Sequence, residues 1–180
     1  NSLAEGDTLF IPHGIFVANN LVFDRTINIH CVGRIRQPES EEGTCVTISG
    51  NKVNIIGRLD VFRNSVDWTK NTVGIALRSS NESNLSLQYY RFNVGLLLID
   101  EEGKGTAYNN IILGRLWDNK TTIKFSQTAS SWVNENKFFG GRFGWSKSIV
   151  DRLEGETNIE ADARLGVKHI DMAQGNNNVF

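Results

Sequence analysis

Six arginines, Arg34, Arg58, Arg91, Arg115, Arg142 and Arg164, each end a short stretch led by Asn and precede an apolar residue. An arginine fork makes paired hydrogen bonds to carboxylate or phosphate groups, so a row of such forks suits an anionic polymer. Guanidinium groups stacked on neighbouring strands about 4.8 Å apart would repel by about 1 kcal/mol in water and about 3.5 kcal/mol at an effective dielectric near 20. Something must relieve that repulsion, and acids stand close by. Asp60 lies two residues after Arg58, Asp118 three after Arg115, and Asp162 two before Arg164. Two readings are open: an anion-binding face, or a salt-bridge ladder in which each exposed pair contributes at most about 1 kcal/mol. Trp117 and Trp145 follow Arg115 and Arg142 closely and could stack on sugar rings, so Arg58, Arg115, Trp117, Arg142 and Trp145 form the expected glycan-binding set.

Cutting a glycan requires two carboxyl groups, about 5 to 5.5 Å apart for retention or 6.5 to 9.5 Å for inversion. The acids available for this are Asp60, Asp67, Asp100, Glu101, Glu102, Asp118 and Asp151. Asp60, Asp118 and Asp151 are the catalytic candidates, although each also suits a solvated turn. His13, His30 and His169 are scattered, and no Cys/His cluster or HExxH spacing occurs, so neither a metal nor another cofactor is expected. Cys31 and Cys45 read as buried thiols. Further large rings are Trp68 beside Asp67, Tyr89 and Tyr90 beside Arg91, Trp132, and the consecutive pair Phe138 and Phe139. Consecutive strand residues point to opposite faces, so one of those two phenylalanines must leave the core and is a candidate contact between chains.

The elements that would position these groups are strands. Only two Pro residues occur, while 17 Gly and frequent Asn interrupt short β-branched and aromatic runs. One element recurs: NIHCVGRI from Asn28, NIIGRL from Asn54, NLSLQYYRF from Asn84, NIILGRL from Asn110, NKFFGGRF from Asn136 and NIEADARL from Asn158, with starts 26, 30, 26, 26 and 22 residues apart. A second series lies between them: TCVTIS from Thr44, VGIALRS from Val73, VGLLLID from Val94, TTIKFS from Thr121 and SKSIVD from Ser146. A period near 26 is short for a propeller blade and suits one coil of a parallel β-helix. The expected fold is therefore all-β, a right-handed parallel β-helix (solenoid) of about seven coils of about 26 residues.

Within each coil, alternation assigns faces. In NIIGRLDVF, Ile55, Gly57, Leu59 and Val61 share one face, and Ile56, Arg58, Asp60 and Phe62 the other, so the arginines point outward. In NIEADARL, Ile159, Ala161, Ala163 and Leu165 would be the apolar face. The leading Asn suits a left-handed corner and can hydrogen-bond along the stack, while Gly33, Gly57, Gly114 and Gly141 read as bends or bulges.

Bulk composition narrows the function classes. At 39% hydrophobic and 22% charged residues, the chain can bury a core and is not a disordered segment. Nineteen basic residues against 20 acidic ones leave a net charge of -1, which gives no electrostatic case for nucleic acid. Apolar runs such as Val94 to Ile99 are far shorter than the roughly 20 residues of a membrane helix, so no insertion is expected. Residues 1–180 read as a single domain. The start at Asn1 and the strand-like close Asn178-Val179-Phe180 lead us to expect a fragment of a longer protein.

The opening segment EGDTLFIPHGIF, Glu5 to Phe16, followed by INIHCVGRI, resembles the start of the pectate-lyase-like β-helix superfamily. Within it, NENKFFGGRF, Asn134 to Phe143, is similar to coils of bacteriophage tailspikes and tail appendages. The resemblance implies an extracellular or virion location and a homotrimer working with other tail proteins. It also implies a host cell-surface glycopolymer as partner, bound and in some members hydrolysed. A secreted monomeric polysaccharide lyase or hydrolase and a non-catalytic adhesive solenoid are the alternatives. The compact row of Asp that holds calcium in the lyases is missing here, which favours a hydrolase over a lyase.

Overall fold

A computed structural model describes residues 3–101, 103–127, 132–144, 157–172 and 177–180. Along the chain these form β1 (Thr8–Ile11), β2 (Ile15–Val17), β3 (Leu21–Phe23), β4 (Asn28–Cys31), β5 (Arg34–Arg36), β6 (Gly43–Ile48), β7 (Asn54–Gly57), β8 (Leu59–Phe62), β9 (Thr72–Arg78), β10 (Asn84–Tyr90), β11 (Val94–Ile99), β12 (Asn110–Trp117), β13 (Thr121–Ser126), β14 (Lys137–Gly144), α1 (Asn158–Leu165) and β15 (Lys168–Met172). All pairings between these strands are parallel. One sheet holds β1, β4, β7, β10, β12 and β14 together with β2, β5 and β8, and the second runs β3, β6, β9, β11, β13, β15. The chain alternates between the two sheets, and equivalent side chains meet at separations of 26, 30, 26 and 27 residues.

Inward positions build apolar ladders. In the first sheet Ile29 pairs Ile55, Leu85 pairs Ile111, and Ile111 pairs Phe138, all buried. In the second, Ile48, Leu77, Leu98 and Phe125 stack in register. Each such side chain contributes about 1.5–3 kcal/mol by leaving water. Phe138 is buried while Phe139 is half exposed, as alternation requires. Cys31 and Cys45 are free, buried thiols, and burial pushes Cys45 up to about 12.

Two amide rows run along the stack. The strand-leading Asn28, Asn54, Asn84 and Asn110 are in register, with Asn54 donating to Asn28 and Asn110 to Asn84. Asn136 does not continue that row, because Asn110 faces Lys137. Asn136 belongs to an inner row with Asn109 and Asn178, where each carboxamide oxygen takes the backbone N–H of the rung before: Ser83 N–H to Asn109, Asn109 N–H to Asn136, Asn136 N–H to Asn178. The left-handed corner expected at the leading Asn sits two residues earlier, at Lys52, Glu82, Tyr108, Glu135 and Asn177.

One sequence expectation needs correction. Asn158–Leu165 is a helix, not a sixth strand. Thr157 caps it, accepting from the Glu160 N–H while Glu160 accepts from the Thr157 N–H, and Gly166 closes it at φ 64. The ladder position beside β13 is held by Lys168–Met172, and Ser146–Asp151 lies outside the described residues. Among the described residues, no helix is long and apolar enough to cross a membrane, which says nothing of a β-barrel.

Candidate functional site

The six arginines do not form one row. Register places Arg34 opposite Asp60, not Arg58, and Arg34 Nε donates to Asp60 Oδ2 at 3.0 Å. Arg58 sits between β7 and β8. Asn84 faces Asn54 while Leu87 faces Leu59, so toward β10 the stretch 55–58 carries two residues more than its partner and bulges, although Gly57 still pairs Cys31 on the other side. Gly57 permits this at φ +87, where a Cβ would lie 2.2 Å from the Cys31 carbonyl oxygen. Arg91 is joined to Asp118, at 3.8 Å, and not to a stacked arginine. Arg164 is on α1, and its neighbour Asp162 pairs with His169 at 3.3 Å. Only Arg115 and Arg142 are true register partners.

This rearrangement produces a local site. Arg58, Arg115 and Arg142, all exposed, line a shallow cleft of about 280 Å³ together with Gln88, Leu113, Gly114 and Gly141. The Arg115 guanidinium lies 4.6 Å from the Trp117 ring centre and that of Arg142 lies 6.0 Å from it. The indole therefore orients both cations. Gly114 forms the floor: a Cβ there would come within 3.0 Å of Arg58 Nη1 and Gln88 Oε1. The acids that sequence proximity assigned to these arginines are held elsewhere, Asp60 by Arg34 and Asp118 by Arg91. Among the described residues, none of Arg58, Arg115 and Arg142 pairs with a carboxylate.

Gln88 links the cleft to Asp60. Its Nε2 donates to Asp60 Oδ2 at 2.9 Å, and its Oε1 accepts the backbone N–H of Arg115 at 3.2 Å. Asp60 is nine-tenths buried, and its Oδ1 has no hydrogen bond among the described residues. Desolvation raises its carboxyl above the usual aspartate range, against the pull of Arg34, Gln88 and Arg58. Beside it, Phe62 and Tyr90 stack at 5.5 Å, and Arg34 covers Phe62 at 4.1 Å.

The other acids are structural in setting. Asp67 accepts from Thr69 N–H and Oγ1 in a local turn, and Glu101 pairs with Arg78 at 3.4 Å. Asp100 and Asp118 are buried, and the Trp68 indole donates to the Asp118 carbonyl. Trp145, Asp151 and Glu102 lie outside the described residues. Tyr89 is a core residue, while Trp132 stands on the surface. Among the described residues, no group of three His, Cys, Asp or Glu is arranged to hold a metal. Three of the five expected glycan contacts, Arg58, Arg115 and Arg142, thus line one cleft with Trp117 beside two of them, whereas Asp60 and Asp118 are held by separate arginines. Gln88 was missed, since only register reveals that it faces Asp60.

Comparison with family models, with curated proteins and with solved structures finds no match for this chain.

Proposed function

We propose that this chain is a right-handed parallel β-helix that holds an anionic cell-surface glycopolymer on its outward face, in the manner of a bacteriophage tailspike. The all-parallel pairing and the alternation of strands between two sheets support the winding, since parallel strands of one sheet are joined right-handed in about 98% of cases. The count of about seven coils of about 26 residues belongs to the same proposal, less the segment now seen as α1.

The observation that carries the binding reading is the trio Arg58, Arg115 and Arg142 lining one cleft, two of them beside Trp117, with no ion pair to a carboxylate among the described residues. Their forks are free for carboxylate or phosphate groups of a ligand, and the cleft is open enough for a chain to pass through. An assembly of chains, such as the expected homotrimer, is supported by outward apolar side chains of the first sheet: Phe10, Ile56, Ile112 and Phe139 are each 49–56% exposed, and their register partners include His30 and Ser86. A virion or other extracellular location and contact with other tail proteins follow from the tailspike reading. Cleavage has weaker support. Asp60 adjoins the cleft with a raised carboxyl, but no second free acid joins it among the described residues.

The test is binding to polygalacturonate and to a poly(glycerol phosphate) polymer at two salt concentrations. Affinity falls with salt, and Arg115→Ala and Arg142→Ala each weaken it about tenfold, equivalent to about 1.4 kcal/mol. A double variant that binds both polymers like the parent would sink the reading. Shortened polymer in the same incubation would add hydrolysis to it.

A further inference from the structure

At the opposite end of the same strands, the corner row of left-handed residues holds one that does not suit it. Lys52, Glu82, Tyr108, Glu135 and Asn177 all lie at φ between 54 and 59. That conformation favours Gly and Asn and is costly for bulky side chains. Asn177 is the inexpensive solution, and Tyr108 occupies an equivalent corner at φ 59 with its ring 55% exposed. A large ring kept in a strained backbone and turned to solvent does nothing for the core. Strain of this kind collects where a ligand is held.

The surroundings of Tyr108 fit that role. It is shared by two surface recesses, one of about 440 Å³ with Asn110, Glu135, Lys137 and Asn177, the other of about 420 Å³ reaching to Asn51, Asn81 and Trp132. Trp132 is 43% exposed yet fixed, because its indole lies over Gly105, where a Cβ would be 2.2 Å from Nε1. Two exposed rings therefore share one recess with the side chains of Asn51 and Asn81.

Charge decides the class of ligand. Lys52 and Glu82 neutralise each other at 3.6 Å, and Lys137 stands with Glu135 in the other recess. An anion would meet the two glutamates and a cation the two lysines. A wholly apolar ligand would strip water from the amides without replacing their hydrogen bonds. A ligand with many hydroxyls and one apolar C–H face satisfies rings and amides together. We infer that the Tyr108 corner is a second binding site, separate from the arginine cleft, that takes uncharged pyranose sugars stacked on Tyr108 and Trp132.

The site is tested by ligand-observed NMR on the full chain with neutral probes: glucose, N-acetylglucosamine, maltotetraose and chitotetraose. At least one tetrasaccharide binds saturably, and the monosaccharides show whether a single ring is enough. Tyr108→Asn weakens that binding at least tenfold, or about 1.4 kcal/mol, while leaving the melting temperature unchanged or higher, since Asn accepts the left-handed backbone. Trp132→Ala weakens binding similarly, and Arg115→Ala does not alter it. No saturable binding by any probe overturns the proposal. So does a Tyr108→Asn protein that binds normally, or an Arg115→Ala protein that loses neutral-sugar binding to the same extent. Loss of polygalacturonate binding in Arg115→Ala with neutral-sugar binding intact bears on the cleft alone, so the two sites fail separately.

Discussion

The inner amide row, at the corner before the first sheet's strands, and the outer arginine cleft on that sheet are both polar and both repeat along the stack, yet they differ in how fully the chain satisfies them. Asn136 Oδ1 accepts from the Asn109 N–H at 3.3 Å and from Asn109 Nδ2 at 2.9 Å, while its own amide donates to Thr106, Asn134 and Asn178 oxygens at 3.1 Å. Nothing is left for a ligand, and the row closes a corner that would otherwise bury open backbone groups. In the cleft, the opposite holds: three cations stand over a glycine floor, two of them beside a tryptophan, and none forms an ion pair among the described residues. Polar groups saturated from within serve the fold, and those left unsatisfied at the surface serve recognition.

The largest test of this contrast is Asn136→Ala. It orphans the buried Asn109 N–H and removes the amide donor to the Thr106 carbonyl, and should lower stability by about 3 kcal/mol in urea denaturation without changing polymer affinity per folded molecule. A loss below about 1 kcal/mol would mean that the row is dispensable.

A smaller effect separates two acids by pH. Asp60 is raised by desolvation, so its contribution to stability is full below the ordinary aspartate value near 3.9 and is lost as pH rises through its elevated folded value. Glu39 is also pushed up by desolvation, but hydrogen bonds from Ser65 and Asn64 and the charge of Arg63 outweigh this and hold it low. Its contribution is therefore full above the ordinary glutamate value near 4.3 and is lost as pH falls through its lowered folded value. Urea midpoints between pH 7 and pH 3 should show the parent gaining on Asp60→Asn and losing against Glu39→Gln as pH falls. Slopes of the same sign would refute the assignment.

The smallest effect is expected at the cleft itself. Arg142→Ala should change stability by no more than about 0.5 kcal/mol, with any change tending toward stabilisation as like charges separate. A loss of about 2 kcal/mol would make the cleft part of the scaffold and erase the contrast.

Much of the strand layout was legible because its signals are local. The Asn-led runs at 28, 54, 84 and 110 and the second series at 44, 73, 94 and 121 alternate in short β-prone segments, and both became register partners. Register itself is non-local, and there the reading failed. Arg34 stands six residues after Asn28 but Arg58 only four after Asn54, so with the two Asn in register Arg34 faces Asp60, which pairs with an arginine 26 residues earlier and not with its own strand neighbour. At Asn158, the repeat pattern overrode a capping box, Thr157 with Glu160, and a closing Gly166, all readable in the sequence. Tyr108 was missed for a related reason: the corner position stands two residues before each leading residue, and only aligned rungs expose an aromatic among polar neighbours.

Strand β12 begins at Asn110, on the edge of the Tyr108 recess, and ends at Trp117, beside the arginines. The cleft's Arg115 stands five residue steps from Asn110, so extended backbone makes a stiff spacer of about 16 Å between the two. A polymer whose neutral and acidic units recur at that interval would engage both ends at once, and the second contact would form at the high effective concentration set by the first. A polymer out of phase would gain only one. The backbone would then act as a ruler, selecting polymers by the period of their composition.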